Sequence, residues 1–438
     1  FEEMEILLKI VQVLLALSVL IIVHELGHFA FARMFGIRVE KFYLFFDVNG
    51  FALFRFRPKN SSTEYGIGWL PLGGYCKIAG MIDESFDTEQ MKKEPAPDEF
   101  RSRPAWQRFL VMAGGALFNF IFAIIVYAGI LAGWGESYVS NDGNSIYVNE
   151  LSYDMGFRTG DRILSFDDYV PEKFAMLQAD LARQNAAKAT VLRDGDTLDI
   201  YIDRNRIGEV LNTPGMFGLA VPFVIDTIPP TSRNSGCGLT RDDRIISIEG
   251  TPIRYVQDSR EILKPYKDTT VAVTAVRGAD TLEMMMQVDT AGLLGIYTQI
   301  PGVKTREYNA VSAIPAGVKL AFSTIGGYVQ DLKLVFTPKT EAYKSVGSFI
   351  AMGEVFPGQW DWYAFINLLA LFSIMLGVMN LIPVPPFDGG HIVITLFEMI
   401  TGRKPGDKFL IVAQGIGMIL LFGLMMLAIG NDITRLMR

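Results

Sequence analysis

Val23-His24-Glu25-Leu26-Gly27-His28-Phe29 closes an apolar run reaching back to Ile10, and the reading of the whole chain turns on it. Four residues turn about 400° on a helix, so the His24 and His28 imidazoles leave one face and can share a tetrahedral zinc. Glu25 lies alongside to accept a proton from water. An unpaired Glu or neutral His inside a spanning helix costs a few kcal/mol and marks function by default. The bland alternative is two buried histidines bonded to backbone carbonyls. The chain has three histidines, and this motif takes two.

Working outward, a bilayer crossing takes roughly 20 apolar residues. The stretches 109–135, 362–387 and 409–431 carry no charge and are long enough. With 50% hydrophobic and 20% charged residues, against about 25% charged in soluble domains, a fully soluble protein is not expected. The 40 Lys and Arg against 47 Asp and Glu leave no basic surplus for phosphates, so nucleic acid is not an expected partner. Two cysteines make no disulfide framework. The first run starts with Glu2, Glu3 and Glu5 and has no small-residue cleavage site before His24, so it reads as a span and not a signal peptide. Positive charge gathers at Arg55, Arg57, Lys59, Lys77, Lys92, Lys93, Arg101 and Arg103, and again at Arg403, Lys404 and Lys408. The positive-inside bias makes both loops cytoplasmic, and four spans then leave both termini and 136–361 on the outer side.

A hydrolytic zinc takes three protein ligands and water. The third span ends Asn380-Leu381-Ile382-Pro383-Val384-Pro385-Pro386-Phe387-Asp388-Gly389-Gly390-His391, where prolines and glycines interrupt the helix. Backbone exposed at membrane depth is tolerated only inside protein or beside a wet cavity. Asp388 is the acid so positioned. His391, one turn further, is the competing ligand or an outer orienting group. Without a metal, Asp388 would read as an N-cap for a helix from Gly389.

Between the second and third spans, Gly160-Asp161-Arg162-Ile163-Leu164-Ser165-Phe166 is echoed 82 residues later by Asp242-Asp243-Arg244-Ile245-Ile246-Ser247-Ile248. Alternating runs such as 190–202 and 270–276 follow and read as strands, so two similar β-rich domains are expected. With Gly238-Leu239 before it and Gly250 after, the second copy resembles the PDZ family, with Asp242 where that family usually has Gly. PDZ domains capture an extended peptide at a sheet edge; Gly218-Leu219-Ala220-Val221 is the matching loop expected for the second copy. A plug or size filter that binds no peptide end is the equal alternative. From 308 to 336 apolar residues fall at helical spacing, but Lys319, Asp331 and Lys333 leave 11 uncharged residues, so an interfacial amphipathic helix is expected.

H-E-x-x-H in a first span, N-x-x-P-x-P-x-x-D-G-G ending a later one, and PDZ-like domains between them together resemble the site-2 proteases, intramembrane zinc metallopeptidases, in their bacterial sigma-E-regulator branch. The resemblance covers nearly the whole chain. It implies zinc held by His24, His28 and Asp388, Glu25 as catalytic base, and Asn380 contacting the substrate backbone or the intermediate. Phe387 stands where the family commonly has Leu. Gly114-Gly115-Ala116-Leu117-Phe118-Asn119 lacks a proline often found after the first Gly, which leaves Asn119 without a clear role. The run Tyr65-Gly66-Ile67-Gly68-Trp69 alternates glycine with apolar residues and suits a hairpin dipping into the membrane surface; glycine lets another backbone approach closely. The family assigns Gly66 and Gly68 to an edge strand that binds unwound substrate; an ordinary glycine-rich turn is the alternative. The implied substrate is a single-span membrane protein, a trimmed anti-sigma factor or a remnant signal peptide.

The expected fold class is a polytopic α-helical membrane protein of about four spans, with a membrane-associated β-hairpin loop and two tandem PDZ-like domains. Its segments are 1–34 (first span), 35–104 (β loop), 105–135 (second span), 136–222 and 223–304 (PDZ-like domains), 305–358 (amphipathic helical region), 359–390 (third span) and 391–438 (short helix and fourth span). The expected setting is the bacterial inner membrane, with the lipid bilayer itself a partner. A divalent-metal transporter would show polar groups at several depths and inverted repeats, which are not visible. A silent PDZ scaffold gives no reason to keep Glu25 at membrane depth.

Overall fold

The structure is a computed structural model that describes residues 2–71, 73–81, 94–385, 387–403 and 406–437. Of the residues singled out above, Lys92, Lys93, Pro386 and Lys404 lie outside these. In chain order the first elements are α1 (Glu2–Met34), β1 (Val39–Leu44), β2 (Ala52–Phe56), β3 (Glu64–Gly68), β4 (Tyr75–Ile78) and α2 (Ala105–Trp134). Next come β5 (Glu136–Val139), β6 (Ile146–Val148), α3 (Glu150–Asp154), β7 (Arg162–Phe166), α4 (Leu177–Gln184), β8 (Lys188–Arg193), β9 (Asp196–Tyr201), α5 (Ile207–Asn212) and β10 (Phe217–Leu219). A second set comprises β11 (Ile225–Thr227), β12 (Arg244–Ile248), β13 (Thr251–Pro252), α6 (Val256–Leu263), β14 (Thr270–Arg277), β15 (Asp280–Gln287), β16 (Tyr297–Thr298) and β17 (Val303–Arg306). Helices α7 (Ala310–Val335), α8 (Phe349–Val355), α9 (Trp362–Asn380), α10 (Asp388–Thr401) and α11 (Asp407–Leu436) complete the order. The chain divides into two units, one helical and one rich in strands.

The helical unit comprises Phe1–Gly135, Glu307–Lys333 and Tyr343–Arg438. Apolar runs become helices here because a helix satisfies every backbone N–H and C=O within the segment, as lipid requires. Among the described residues, α1, α2, α7, α9 and α11 are long and apolar enough to cross a membrane. The protein is a membrane protein with β-sheet regions. Helix α1 packs on α2 through glycine: a Cβ on Gly27 would overlap the Gly114 carbonyl, and one on Gly114 would come within 2.6 Å of the Gly27 carbonyl. Small residues at such a crossing let two backbones approach, the usual device between helices in lipid.

The 308–336 stretch forms a 26-residue helix, α7, as its spacing leads one to expect; it has the length and composition of a span despite its charges, and it packs on α2 with Gly317 against Ala128. One expectation needs correction in this unit. The third span does not run to 390: α9, capped by the Asp361 carboxylate on the Ala364 N–H, ends at Asn380, and a new helix starts at Asp388. Pro383 and Pro385 have no N–H to continue the ladder. Gly389 and Gly390 admit the returning chain, since a Cβ there would strike the Leu381 carbonyl and the Pro385 ring. An ion pair between Arg108 of α2 and Glu398 of α10, 2.5 Å apart with both side chains 11% exposed, fixes the helix that Asp388 begins.

The β loop is a four-stranded sheet in the order β2-β3-β1-β4, with β1 and β3 parallel and the other pairs antiparallel. Phe51, Leu53, Phe54, Phe56 and Trp69 stand exposed on it, as suits a sheet at a membrane surface. The Tyr43 hydroxyl donates to Glu64 at 2.7 Å; burial, then that carboxylate, pushes the phenol up, so it stays a donor.

The second unit, Glu136–Arg306 with Leu334–Ala342, contains the duplication. A three-stranded sheet, β7-β8-β9, corresponds to the four-stranded β13-β12-β14-β15, and both carry the same register shift, at Ile163/Ser165 and at Ile245/Ser247. Each sheet backs its own apolar core, one around Phe157, Phe166 and Leu181, the other around Ile245, Ile248 and Val271. Asp242, at φ 74, keeps the left-handed turn that Gly160 makes at φ 102. The ends of the region meet where β17 pairs antiparallel with β5. Leu334 and Ala342 join the first core, so part of the expected helical region 305–358 belongs to this unit. The loop assignment for the second copy is also corrected. Gly218 and Leu219 lie in β10, paired with β6 of the first copy, and the corresponding turn of the second is Gly292–Gly295 before β16, which pairs with β11. In each copy the short strand after the core sheet returns to pair with the strand before the motif, β10 with β6 and β16 with β11, so Gly218-Leu219 closes the first copy instead of opening the second.

Candidate metal centre

Helix α1 delivers His24 and His28 one turn apart, and the start of α10 delivers Asp388. The two His Nε2 atoms are 3.2 Å apart, and each lies 3.3 Å from Asp388 Oδ2. These three groups form the His, Cys and acid cluster whose ligand atoms lie within 4.8 Å of one another; among the described residues His391 is not part of it. Asp388 Oδ2 is buried and accepts no well-formed hydrogen bond from the protein. Two imidazole nitrogens and one carboxylate oxygen converge, and of the three the carboxylate oxygen has no hydrogen-bond partner.

Zinc fits this donor set. With metal–ligand distances of about 2.0–2.1 Å, a tetrahedron has edges of about 3.3 Å, the spacing found here. The buried, unclaimed carboxylate oxygen would be costly without a cation. His28 is oriented from behind: its Nδ1 donates to the Val111 carbonyl at 2.9 Å, which leaves Nε2 its lone pair. Helix α2 is pressed onto both rings, since a Cβ on Gly115 would come within 2.5 Å of His24 Cε1 and His28 Nε2. Glu25 has His24, His28 and Asp388 as its electrostatic neighbours, and the Cys76 main chain of β4 hydrogen-bonds to it. Asn380, the last residue of α9, brings its Nδ2 to 3.3 Å from His24 Nε2.

Residues 12–424 match peptidase family M50. The chain belongs to that family. It is 28% identical to the regulator of sigma-E protease RseP of Salmonella typhimurium, over 99% of this chain and 100% of that protein. It is 27% identical to the Escherichia coli protein of the same name, over 97% and 98%. A Ralstonia nicotianae protein that carries a zinc metalloprotease name is 26% identical over 98% and 99%. This member of family M50 is a membrane-embedded zinc metallopeptidase, and Zn2+ is its metal.

His24, Glu25, His28, Asp388 and Asn380 therefore come together from three helices. Gly66 and Gly68 do not sit where they were expected. They lie in β3, inside the sheet and not at its edge: Gly66 is paired with Tyr43 of β1 and with Arg55 of β2, and Gly68 with Ala52 of β2. Their glycine character has an internal cause: a Cβ on Gly66 would strike the Tyr43 ring, and one on Gly68 the Phe46 carbonyl. Sequence reasoning missed Gly115, the Val111 carbonyl and the Cys76 main chain. The adjacent Gly114-Gly115 pair inside an apolar span was the available signal, since glycine is costly in a helix unless something packs against it.

Proposed function

We propose that this protein is an intramembrane protease whose zinc is held by His24, His28 and Asp388 and whose catalytic base is Glu25. The observation that carries the reading is the convergence of three ligand atoms from α1 and α10 around a carboxylate oxygen without a hydrogen-bond partner. Zinc in such a site supplies Lewis acidity, polarising a carbonyl and lowering the pKa of water to about 7. Glu25 takes the proton from the attacking water and passes it to the leaving amine. Asn380 holds the substrate main chain beside His24. Gly66 and Gly68 act indirectly, by letting β3 seat against β1, which in turn carries β4 and the Cys76 main chain to Glu25.

Four crossings support this chemistry better than five. Helix α1 carries its ligands in its last three turns and α9 ends shortly before Asp388, so both C-terminal ends face the same side. Since α2 returns across the bilayer, an even number of crossings must separate it from α9, and α7 cannot cross alone. It is assigned to the interface. With the positive loops cytoplasmic, the ligands lie toward the inner face of the bacterial inner membrane and the 136–306 repeats on its outer side.

A peptide bond within a spanning helix is hidden by lipid and by its own hydrogen bonds, so the substrate is a single-span protein that unwinds locally. We assign the repeats to the PDZ type, selecting substrates that have lost a bulky outer domain. Equal cleavage of full-length and trimmed substrates would remove that assignment. Glu25→Gln tests the core reading: zinc content stays, and cleavage of a reconstituted single-span substrate falls about 10²–10⁴-fold. Undiminished cleavage rules Glu25 out as base.

A further inference from the structure

Asn119 of α2 is wholly buried, and its amide lies where His24 needs a partner. Its Nδ2 is 3.2 Å from His24 Nδ1, while its Oδ1 has no hydrogen-bond partner. The α2 main chain is held at this level by Ser373 of α9, whose hydroxyl donates to the Asn119 carbonyl at 2.9 Å. A neutral imidazole has one proton, so its two nitrogens take opposite roles. In the arrangement described, the Asn119 Nδ2 faces His24 Nδ1 at 3.2 Å and the Asn380 Nδ2 faces Nε2 at 3.3 Å, so each ring nitrogen meets a donor and a neutral imidazole can accept from one of them. Ligation through Nε2 requires that lone pair, so the proton then sits on Nδ1 and needs an acceptor. For His28 the acceptor is the fixed Val111 carbonyl. For His24 the group in reach is an amide, one end of which donates and the other accepts.

We propose that Asn119 is the positioning residue for His24: a half-turn of its amide exchanges Nδ2 for Oδ1, so that Oδ1 accepts the Nδ1–H and fixes the tautomer that ligates zinc through Nε2. The half-turn also gives the orphaned Oδ1 its partner. This explains why the position holds a group that can both donate and accept, where a carboxylate could only accept. The inference rests on His24 being a ligand.

The test is the zinc dissociation constant of the purified full chain, measured by chelator competition for the wild type, His24→Ala, Asn119→Leu, Asn119→Ala and Asn119→Asp. Leu fills the space without an acceptor, Ala empties it, and Asp keeps the acceptor. Asn119→Leu and Asn119→Ala are expected to bind zinc about 10–100-fold more weakly, and Asn119→Asp within about threefold of wild type. Wild-type affinity in Asn119→Leu overturns the proposal, as does a loss in Asn119→Asp equal to that in Asn119→Ala. Should Asn119→Leu fail to fold, the Ala and Asp variants make the same contrast. Wild-type affinity in His24→Ala would instead overturn the ligand assignment on which the proposal stands.

Discussion

The carboxylates of Asp161 and Asp243 in the repeat unit and the Oδ2 atom of Asp388 in the helical unit are buried, yet these oxygens are treated differently. Asp161 receives Arg193 through both oxygens at 2.7 and 2.8 Å and the Arg158 N–H at 2.8 Å. Asp243 receives Arg277 at 2.8 and 2.7 Å and the Thr240 N–H at 2.7 Å, the same clamp one repeat later. Asp388 faces two imidazoles at 3.3 Å and keeps Oδ2 unclaimed. Burial is common to all three. What separates a carboxylate that holds a fold together from one that awaits a cation is whether its lone pairs are already taken.

Replacing each carboxylate by its amide should therefore give opposite outcomes. Asp388→Asn has the largest effect: zinc affinity falls by more than the roughly 100-fold that loss of an outer orienting contact costs. Chelator competition on the purified protein measures it, with little change expected in the unfolding of the repeat unit. Near-normal zinc binding would put Asp388 in the same class as the clamped pair. Gly115→Ala comes next, because its methyl group must displace one imidazole or the other. About a 10-fold weakening of zinc binding is expected, since the change displaces ligands without removing them.

Asp243→Asn should leave zinc affinity unchanged and destabilise the second repeat by about 2 kcal/mol, read by hydrogen exchange of β12 and β14. The smallest effect is the acid response of the same group. The Arg277 hydrogen bonds hold Asp243 down at about 2 in the folded protein. A depressed carboxyl stabilises fully above its unfolded value of about 4 and loses that contribution as pH falls toward 2. The second repeat should thus begin to loosen below about pH 4 in the wild type, and Arg277→Met should flatten that dependence.

The clamp was not visible in the sequence, although the duplication that contains it was. Arg193 and Arg277 lie 32 and 34 residues beyond their aspartates, on the strand that pairs with the motif strand, and no local period marks such a contact. The same limit explains the misplaced Gly66-Ile67-Gly68 segment. Alternation announces a strand, but its place inside or at the edge of a sheet depends on β1 and β2, which are separate stretches of chain. Likewise the packing of α7 on α2 was not visible in the α7 sequence. Asn119 carried only a spacing from Gly115, and its partner His24 is 95 residues away.

Local composition and period, by themselves, determined which segments are apolar helices, that the intervening region is duplicated, and which residue types could ligate zinc. Each of those properties is written over a few consecutive turns or strands. Tertiary packing alone decided that Gly27 and Gly114 bring α1 and α2 into backbone contact, and that two imidazoles and a carboxylate from distant segments meet at 3.2–3.3 Å. A metal site is a set of distances between remote atoms, and only close packing of the helices that carry them can set those distances.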